Sequence, residues 1–403
     1  MLELVRGFFR LQAASGILLV AAAVLALLVA NSPLSGAYSM LFGLPVELSV
    51  GEFEIAKPLL LWVNDGLMAL FFLLVGLELK RELVDGQLSD LRQVSLPAFG
   101  ALGGMLVPAA IYVAINWGDA IALQGWAIPG ATDIAFALAI LTLLGPRVPV
   151  SLRAFLVTIA IFDDVGAIVI IALFYTENLS LLALGIAAAC LVPLSIMNRR
   201  GVVDKAPYLL VGAIMWTALL KSGVHATLSG VVLAFMIPLR RGEHSPAAEL
   251  EHDLHRAVAF GVLPLFAFAN SGLALGELTL DDVLHPVPLG ILLGLFVGKQ
   301  LGVFGFCWLA LRLGLARMPA GMLPTHIYGT AILCGVGFTM SLFIGSLAFE
   351  ETGVDLLQDE RIGILAGSLL SGLFGYFYLR WTLESGEELE SPGSRVLPPS
   401  GPQ

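Results

Sequence analysis

Residues 158–173 read TIAIFDDVGAIVIIAL, and apart from Thr158 and the adjacent carboxylates Asp163 and Asp164 every position is apolar or glycine. An aspartate at the centre of a membrane helix costs about 2.5 to 3.5 kcal/mol, so the pair costs roughly 5 to 7 kcal/mol. Fourteen Leu, Ile, Val or Phe residues in the surrounding segment 151–175 return about 0.3 to 0.6 kcal/mol each, or roughly 4 to 8 kcal/mol. Insertion about breaks even, so the pair depends on its neighbours. A single buried acid can be purely structural, hydrogen-bonded between helices or paired with a lysine. Two successive helical residues point about 100° apart, and one structural partner can hardly satisfy both. Intramembrane carboxylates mark ion or proton pathways. Their oxygens are the ligands a hard cation prefers, and protons compete for the same lone pairs.

Three other apolar segments carry charge at comparable depth. Asp133 lies in AIPGATDIAFALAIL, Lys299 in LLGLFVGKQLGVFGF, and Asp65 with Glu78 bracket NDGLMALFFLLVGLELKREL. Lys299 is the natural counter-charge to the acids. Pro129 and Gly130 precede Thr132 and Asp133, while Gly335 and Gly337 interrupt LCGVGFTMS. Proline removes a helix donor and glycine loosens the backbone, so both segments are expected to break at mid-depth. Asp133 would then compensate positive helix ends and Lys299 negative ones. Glycine alone in a membrane helix also serves close packing; its pairing with intramembrane charge is what points to a transport site.

The elements that position these residues must cross a bilayer. The chain of 403 residues is 58% hydrophobic and 13% charged, against roughly a quarter charged in soluble domains. About 20 apolar residues cross roughly 30 Å of hydrocarbon. Twelve candidate spans follow, at 11–30, 58–79, 94–116, 124–144, 151–175, 180–197, 206–220, 223–239, 257–275, 287–311, 326–349 and 361–382. The first is long for a signal peptide and Leu28 spoils a small-residue cleavage site. Lys57, Lys221 and Arg361 fall on one side, Lys299 falls inside a span, and every other of the 21 lysines and arginines falls on the side of both termini, which is therefore expected to be cytoplasmic. Residues 44–55 read either as a hairpin or as a loop, and 383–403 as a disordered tail after a single membrane domain over 1–382. Cys190, Cys307 and Cys334 have no partner spacing, so no disulfide, resident metal or cofactor is indicated. No phosphate-binding loop or nucleic-acid patch is present.

The motifs resemble those of the NhaA family of bacterial sodium/proton antiporters over about residues 10–382. The likeness is carried by NDGLMALFFLLVGLELKREL (64–83), AIPGATDIAFAL (127–138), IFDDVGAIVIIALFY (161–175), LKSGVHATLSGV (220–231), LPLFAFANSG (263–272) and LCGVGFTMSLFIGSLAF (333–349). It implies an all-α membrane protein of about 12 transmembrane helices, with inverted repeats and two discontinuous crossing helices. NhaA is itself a reference case for inverted repeats, so that feature is inherited from the resemblance. The resemblance further implies Asp163 and Asp164 at the ion site, Thr132 and Asp133 beside it, and Lys299 as a mobile partner of Asp163. It implies a homodimer joined partly by the hairpin, in the bacterial inner membrane, and a pH response linked to Glu78, Glu82, Asp85, Glu251, His252 and His255. The chain departs from the family pattern at Arg256 and Ala257, where Pro-Trp usually follows histidine, and at Gln300, where proline usually follows lysine.

The function expected is therefore exchange of sodium or lithium for protons, not an enzymatic reaction. Two protons released per sodium would make it electrogenic, the second proton residing on the other aspartate or on Lys299. His225, near the outer surface, either tunes pH dependence or only packs. An intramembrane aspartyl protease needs its two aspartates on separate helices in other contexts. A cation channel needs rings of acids or carbonyls about an oligomer axis, not an acid pair with a lysine in one chain.

Overall fold

Each of the twelve apolar stretches contains helix in the computed structural model, which describes residues 2–50, 53–86, 91–176, 179–349 and 357–389. The chain opens with α1 (Leu2–Ala30) and turns into α2 (Ser35–Gly43). Strands β1 (Pro45–Val50) and β2 (Phe53–Pro58) then pair antiparallel from Pro45↔Pro58 to Val50↔Phe53. Trp62 clamps the pair by donating Nε1–H to the Val46 carbonyl at 3.0 Å.

Next come α3 (Leu59–Val84), α4 (Leu91–Ile115), a 3-10 segment Ala122–Gly130, α5 (Ile134–Leu143), α6 (Val150–Phe174), α7 (Leu181–Arg200), α8 (Ala206–Leu220) and α9 (Leu228–Met236). The second half of the chain forms α10 (Pro246–Ala257), α11 (Leu263–Asn270), α12 (Leu280–Leu284), α13 (Pro286–Leu293), α14 (Gly305–Arg312), α15 (Pro324–Leu333), α16 (Phe338–Phe349) and α17 (Leu357–Leu389). Helix α17 continues past residue 383, and the rest of the expected tail, 390–403, lies outside the described residues.

Among the described residues, seven stretches are long and apolar enough to cross a membrane. Two further pairs qualify together but are bent, Ala14–Ala30 with Ser35–Gly43 by 111° and Pro324–Leu333 with Phe338–Phe349 by 47°. The expectation of twelve full spans is thus met by fewer full-length ones. At 1.5 Å per residue, nine-residue α9 rises only about 14 Å. The segment 221–227 ahead of it is spent on turns, and Lys80 covers its end, donating to the Phe235 carbonyl at 2.8 Å and the Ile237 carbonyl at 2.5 Å. Large apolar side chains face outward, Leu181 at 80% and Leu182 at 79% exposure among them. Water would penalise such a surface, whereas lipid does not.

Packing around the broken segments relies on small residues. A Cβ on Gly302 would fall 2.1 Å from the Gly103 carbonyl oxygen, and one on Gly103 would fall 2.2 Å from the Gly302 oxygen. Backbone therefore meets backbone where α4 crosses the span Pro286–Arg312. That span holds two π-helical turns, Gly294–Gly298 and Gln300–Phe304, one on each side of Lys299. Asn64 and Asn270 exchange side-chain amide hydrogen bonds of 2.7 and 3.2 Å, joining α3 to α11 in the buried interior.

Candidate functional site

The two interrupted spans meet at their breaks. Residues 131–133 run extended between the 3-10 segment and α5, and residues 334–337 separate α15 from α16. The Asp133 amide donates to the Val336 carbonyl at 2.6 Å, and Ser341 Oγ donates to the Ile128 carbonyl at 2.9 Å. A Cβ on Gly337 would fall 3.2 Å from the Ala131 oxygen. Two helix N-termini and two C-terminal carbonyl ends thereby come together, each carrying unpaired backbone groups and a partial charge.

Asp133 answers the positive ends. Its Oδ1 accepts from the Phe136 amide at 3.0 Å, capping α5, while Oδ2 accepts from the Thr339 amide at 3.1 Å and the Thr339 hydroxyl at 2.5 Å, capping α16. Ser368 of α17 accepts the remaining Gly337 and Phe338 amides at 3.2 and 3.1 Å. The negative ends are met by Lys299 and Thr132. Lys299 Nζ donates to the Gly130 carbonyl at 2.6 Å, and Thr132 Oγ1 lies 2.9 Å from the Cys334 carbonyl it can donate to.

The acid pair sits against this junction on α6. Lys299, wholly buried, donates to Asp163 Oδ2 at 2.8 Å and to Thr132 Oγ1 at 3.0 Å, which with Gly130 uses all three ammonium protons. Thr132 Oγ1 lies 2.5 Å from the same Asp163 oxygen. Asp163 Oδ1 is buried with no hydrogen-bond partner. Asp164, 5% exposed, has no hydrogen-bond partner among the described residues. Three carboxylate oxygens therefore keep free lone pairs beside one buried ammonium. Glycine lets α4 approach the Lys299 span: a Cβ on Gly104 would fall 2.9 Å from Val303 Cγ2. Gln300, in the position where proline is usual, donates Nε2–H to the Phe296 carbonyl at 2.6 Å and accepts from the Tyr328 hydroxyl at 2.8 Å. It ties the Lys299 turn to α15.

Other expected residues lie away from this junction. Asp65 is drawn to the hairpin end, where Lys57 meets its Oδ2 at 3.2 Å. Both line a cavity of about 460 Å³, together with Gln124, Tyr175 and His225. None of Asp133, Asp163, Asp164 or Lys299 lines that cavity. At the opposite end, Glu78, Arg81 and Glu82 of α3 face Glu251 and His255 of α10. Arg81 bonds Glu251 at 2.5 Å and Glu82 at 3.2 Å, and His255 Nδ1 lies 3.7 Å from Glu78 Oε1. Asp85 pairs instead with Arg240 at 3.1 Å, and His252 is turned outward and exposed. Glu78 also acts electrostatically on Asp164, so one carboxylate belongs to both groups. With Arg256 in place of proline, α10 continues through a π turn at Val258–Val262 into α11 without a break.

The residues that sequence reasoning passed over are informative. Arg81 anchors the α3–α10 contact, and its place between Glu78 and Glu82 was the available signal. Thr339 shares Asp133 with α5, which only the meeting of the breaks reveals. Glu360, one residue ahead of the last expected span, is 1% exposed.

With this geometry in hand, comparison with known proteins is direct. The family described as Na+/H+ antiporter 1 matches residues 6–379. The chain belongs to this NhaA family. It is 57% identical over 383 residues to the Na(+)/H(+) antiporter NhaA 3 of Saccharophagus degradans, covering 93% of this chain and 96% of that one. It is 59% identical over 371 residues to the Na(+)/H(+) antiporter NhaA of Pseudomonas fluorescens strain Pf0-1, covering 92% and 94%. It is 57% identical over 388 residues to that of Rhodospirillum rubrum, covering 94% and 97%. These NhaA relatives are transporters rather than enzymes, and the apolar helices make this chain a multi-pass membrane protein.

Two outcomes follow. Breaking a buried ion pair strands a charge and costs about 3 to 5 kcal/mol. Lys299→Met and Asp163→Asn alone should each lower thermal stability in detergent by that order, and the double variant by less than either; strictly additive losses would contradict a mutual pair. At the opposite end, the Glu78 carboxylate holds the His255 imidazole above its usual value, against burial. Burial raises Glu251, against Arg81. A histidine raised in the folded state stabilises fully below its unfolded pKa of about 6.5 and loses that contribution as pH rises through the folded value. The stability difference between wild type and His255→Gln should therefore be present below about pH 6.5 and vanish on alkalinisation; a difference independent of pH would show that this contact does not titrate.

Proposed function

We propose that this protein exchanges sodium or lithium for protons across the bacterial inner membrane, with both termini in the cytoplasm, the hairpin end outside, and the two broken spans crossing as parts of an inverted repeat. The observation that carries the reading is the Asp163–Lys299 pair, 2.8 Å apart and buried, next in sequence to Asp164, which has no side-chain hydrogen-bond partner among the described residues. In this arrangement a proton on Lys299 fixes Asp163, and a proton on Asp164 neutralises the second acid. A sodium ion arriving between the carboxylates takes oxygens from Asp163, Asp164 and Thr132, expels the ammonium from Asp163 and displaces both protons. One positive charge enters the site and two leave it, so the cycle is electrogenic.

Exclusive occupancy follows from Coulomb's law at short range, since a sodium ion and a protonated lysine cannot share the same oxygens in a dry site. Access must alternate, because the hairpin-end cavity stops short of the pair. The cluster of Glu78, Arg81, Glu82, Glu251 and His255 supports regulation by pH. It weakens as pH rises, and Glu78 conveys that change to Asp164. Asp85, His252 and His225 take subsidiary places in this scheme. The hairpin, an edge-bearing pair of strands beyond the bundle, supports a homodimer joined there.

Inverted membrane vesicles test the proposal. Sodium added to wild-type vesicles should dissipate a preformed pH gradient, faster when the membrane potential is clamped at zero, and Asp164→Asn should abolish the response. Wild-type rates in Asp164→Asn vesicles would remove the acid pair from the mechanism.

A further inference from the structure

One further carboxylate, away from the junction, is more deeply buried than Asp133, Asp163 or Asp164. Glu360 lies in the first turn of α17 at 1% exposure, and its Oε2 has no hydrogen-bond partner. The carboxyl lies flat on Gly345 of α16. A Cβ there would fall 2.3 Å from Oε2, 2.6 Å from Cδ and 2.9 Å from Oε1, so glycine alone leaves the group its space. Buried acceptors nearly always have a partner, and an isolated carboxylate in an apolar interior is strongly disfavoured while charged.

Among the described residues, the polar groups that act on it are committed elsewhere. Tyr112 of α4 and Tyr175, next after α6, both feel the charge of Glu360. The Tyr112 hydroxyl donates to the Ala122 carbonyl at 2.7 Å, and the Tyr175 hydroxyl to the Gln124 carbonyl at 2.7 Å. Arg361, the adjacent residue, donates from Nη1 to the Gly272 carbonyl at 3.1 Å. Asp119 acts on Tyr112 from the loop beyond α4. Tyr175, with Leu347 and Ala348 of α16, forms a wall of the hairpin-end cavity; Ala348 lies three residues on from Gly345, on the same face of α16, so the seat of Glu360 is one helical turn from that wall.

We propose that Glu360 is a proton-binding site of the transporter, loaded from the hairpin-end cavity; the assignment rests on the exchange reading above. A hydronium ion in the cavity gives its proton to the carboxylate and remains as water. The neutral carboxyl then packs against Gly345 as observed. Release of the proton restores a charge the packed position cannot hold, so the side chain must move toward Tyr175 and the cavity or draw water inward. Intramembrane acids that face the bundle interior or a cavity are the usual stations of proton routes through membranes.

Infrared difference spectra of the full-length protein in lipid, recorded as pH is stepped, read the protonated-carboxyl C=O band without requiring transport. Wild type should show a titrating band that is lost in Glu360→Gln and retained in Glu360→Asp. Gly345→Ala, which leaves the acid in place but fills its seat, should shift that band, and it serves if Glu360→Gln does not fold. In proteoliposomes of defined orientation, Glu360→Gln should lose the dependence of exchange rate on pH at the hairpin side, whereas Glu360→Asp should keep it. A spectrum unaltered by Glu360→Gln and Gly345→Ala, or a titrating band with an unchanged exchange profile, overturns the proposal. Wild-type liposomes that exchange no sodium for protons overturn the exchange reading instead, and the infrared arm still decides whether Glu360 titrates.

Discussion

Four broken-helix ends, each bearing about half an elementary charge, converge where residues 131–133 meet residues 334–337, and the protein must cancel them without bulk water. Asp133 serves both N-termini with its two oxygens. Lys299 and Thr132 serve the two carbonyl ends. The helix ends explain why an acid, a hydroxyl and a lysine can reside at this depth at all: each satisfies backbone groups that would otherwise cost several kcal/mol apiece. They also explain why the breaks must touch, since either one alone would leave its ends unmatched.

Once Lys299 is recruited to that task, its position relative to α6 becomes consequential. The same ammonium that caps Gly130 also holds Asp163, so moving it disturbs both the broken helix and the acid pair. The π turns on either side of Lys299 and the glycine contacts between α4 and its span provide a locally loosened helix at that point, and π bulges of this kind are frequent at functional positions. Gln300 replaces rigidity of the ring with a side-chain amide bridge to Tyr328. Occupancy, helix-end compensation and lysine position are thereby tied to one set of hydrogen bonds.

Much of this was legible because charge is so improbable in hydrocarbon. Asp163, Asp164, Asp133 and Lys299 announced themselves as charges within apolar runs, and Pro129, Gly335 and Gly337 announced the breaks. What could not be read was which group meets which. The dual capping by Asp133 depends on Thr339, which lies 206 positions away, and no local pattern encodes that meeting. Nor could composition distinguish His255, turned toward Glu78, from His252, turned to solvent three residues earlier. Glu360 escaped notice because packing against Gly345, not its local sequence, buries it. The eighth expected span, 223–239, is short to begin with, and the structure shortens it further because residues 223–227 turn before α9 begins at Leu228.

In the proposed exchange, sodium and protons compete for the oxygens of Asp163 and Asp164. Counting protons released when sodium is added to the purified protein in weakly buffered solution tests it most directly. Such competition releases two protons per sodium bound, with apparent sodium affinity falling as the solution is acidified. Sodium binding at full affinity with no release of protons would contradict it.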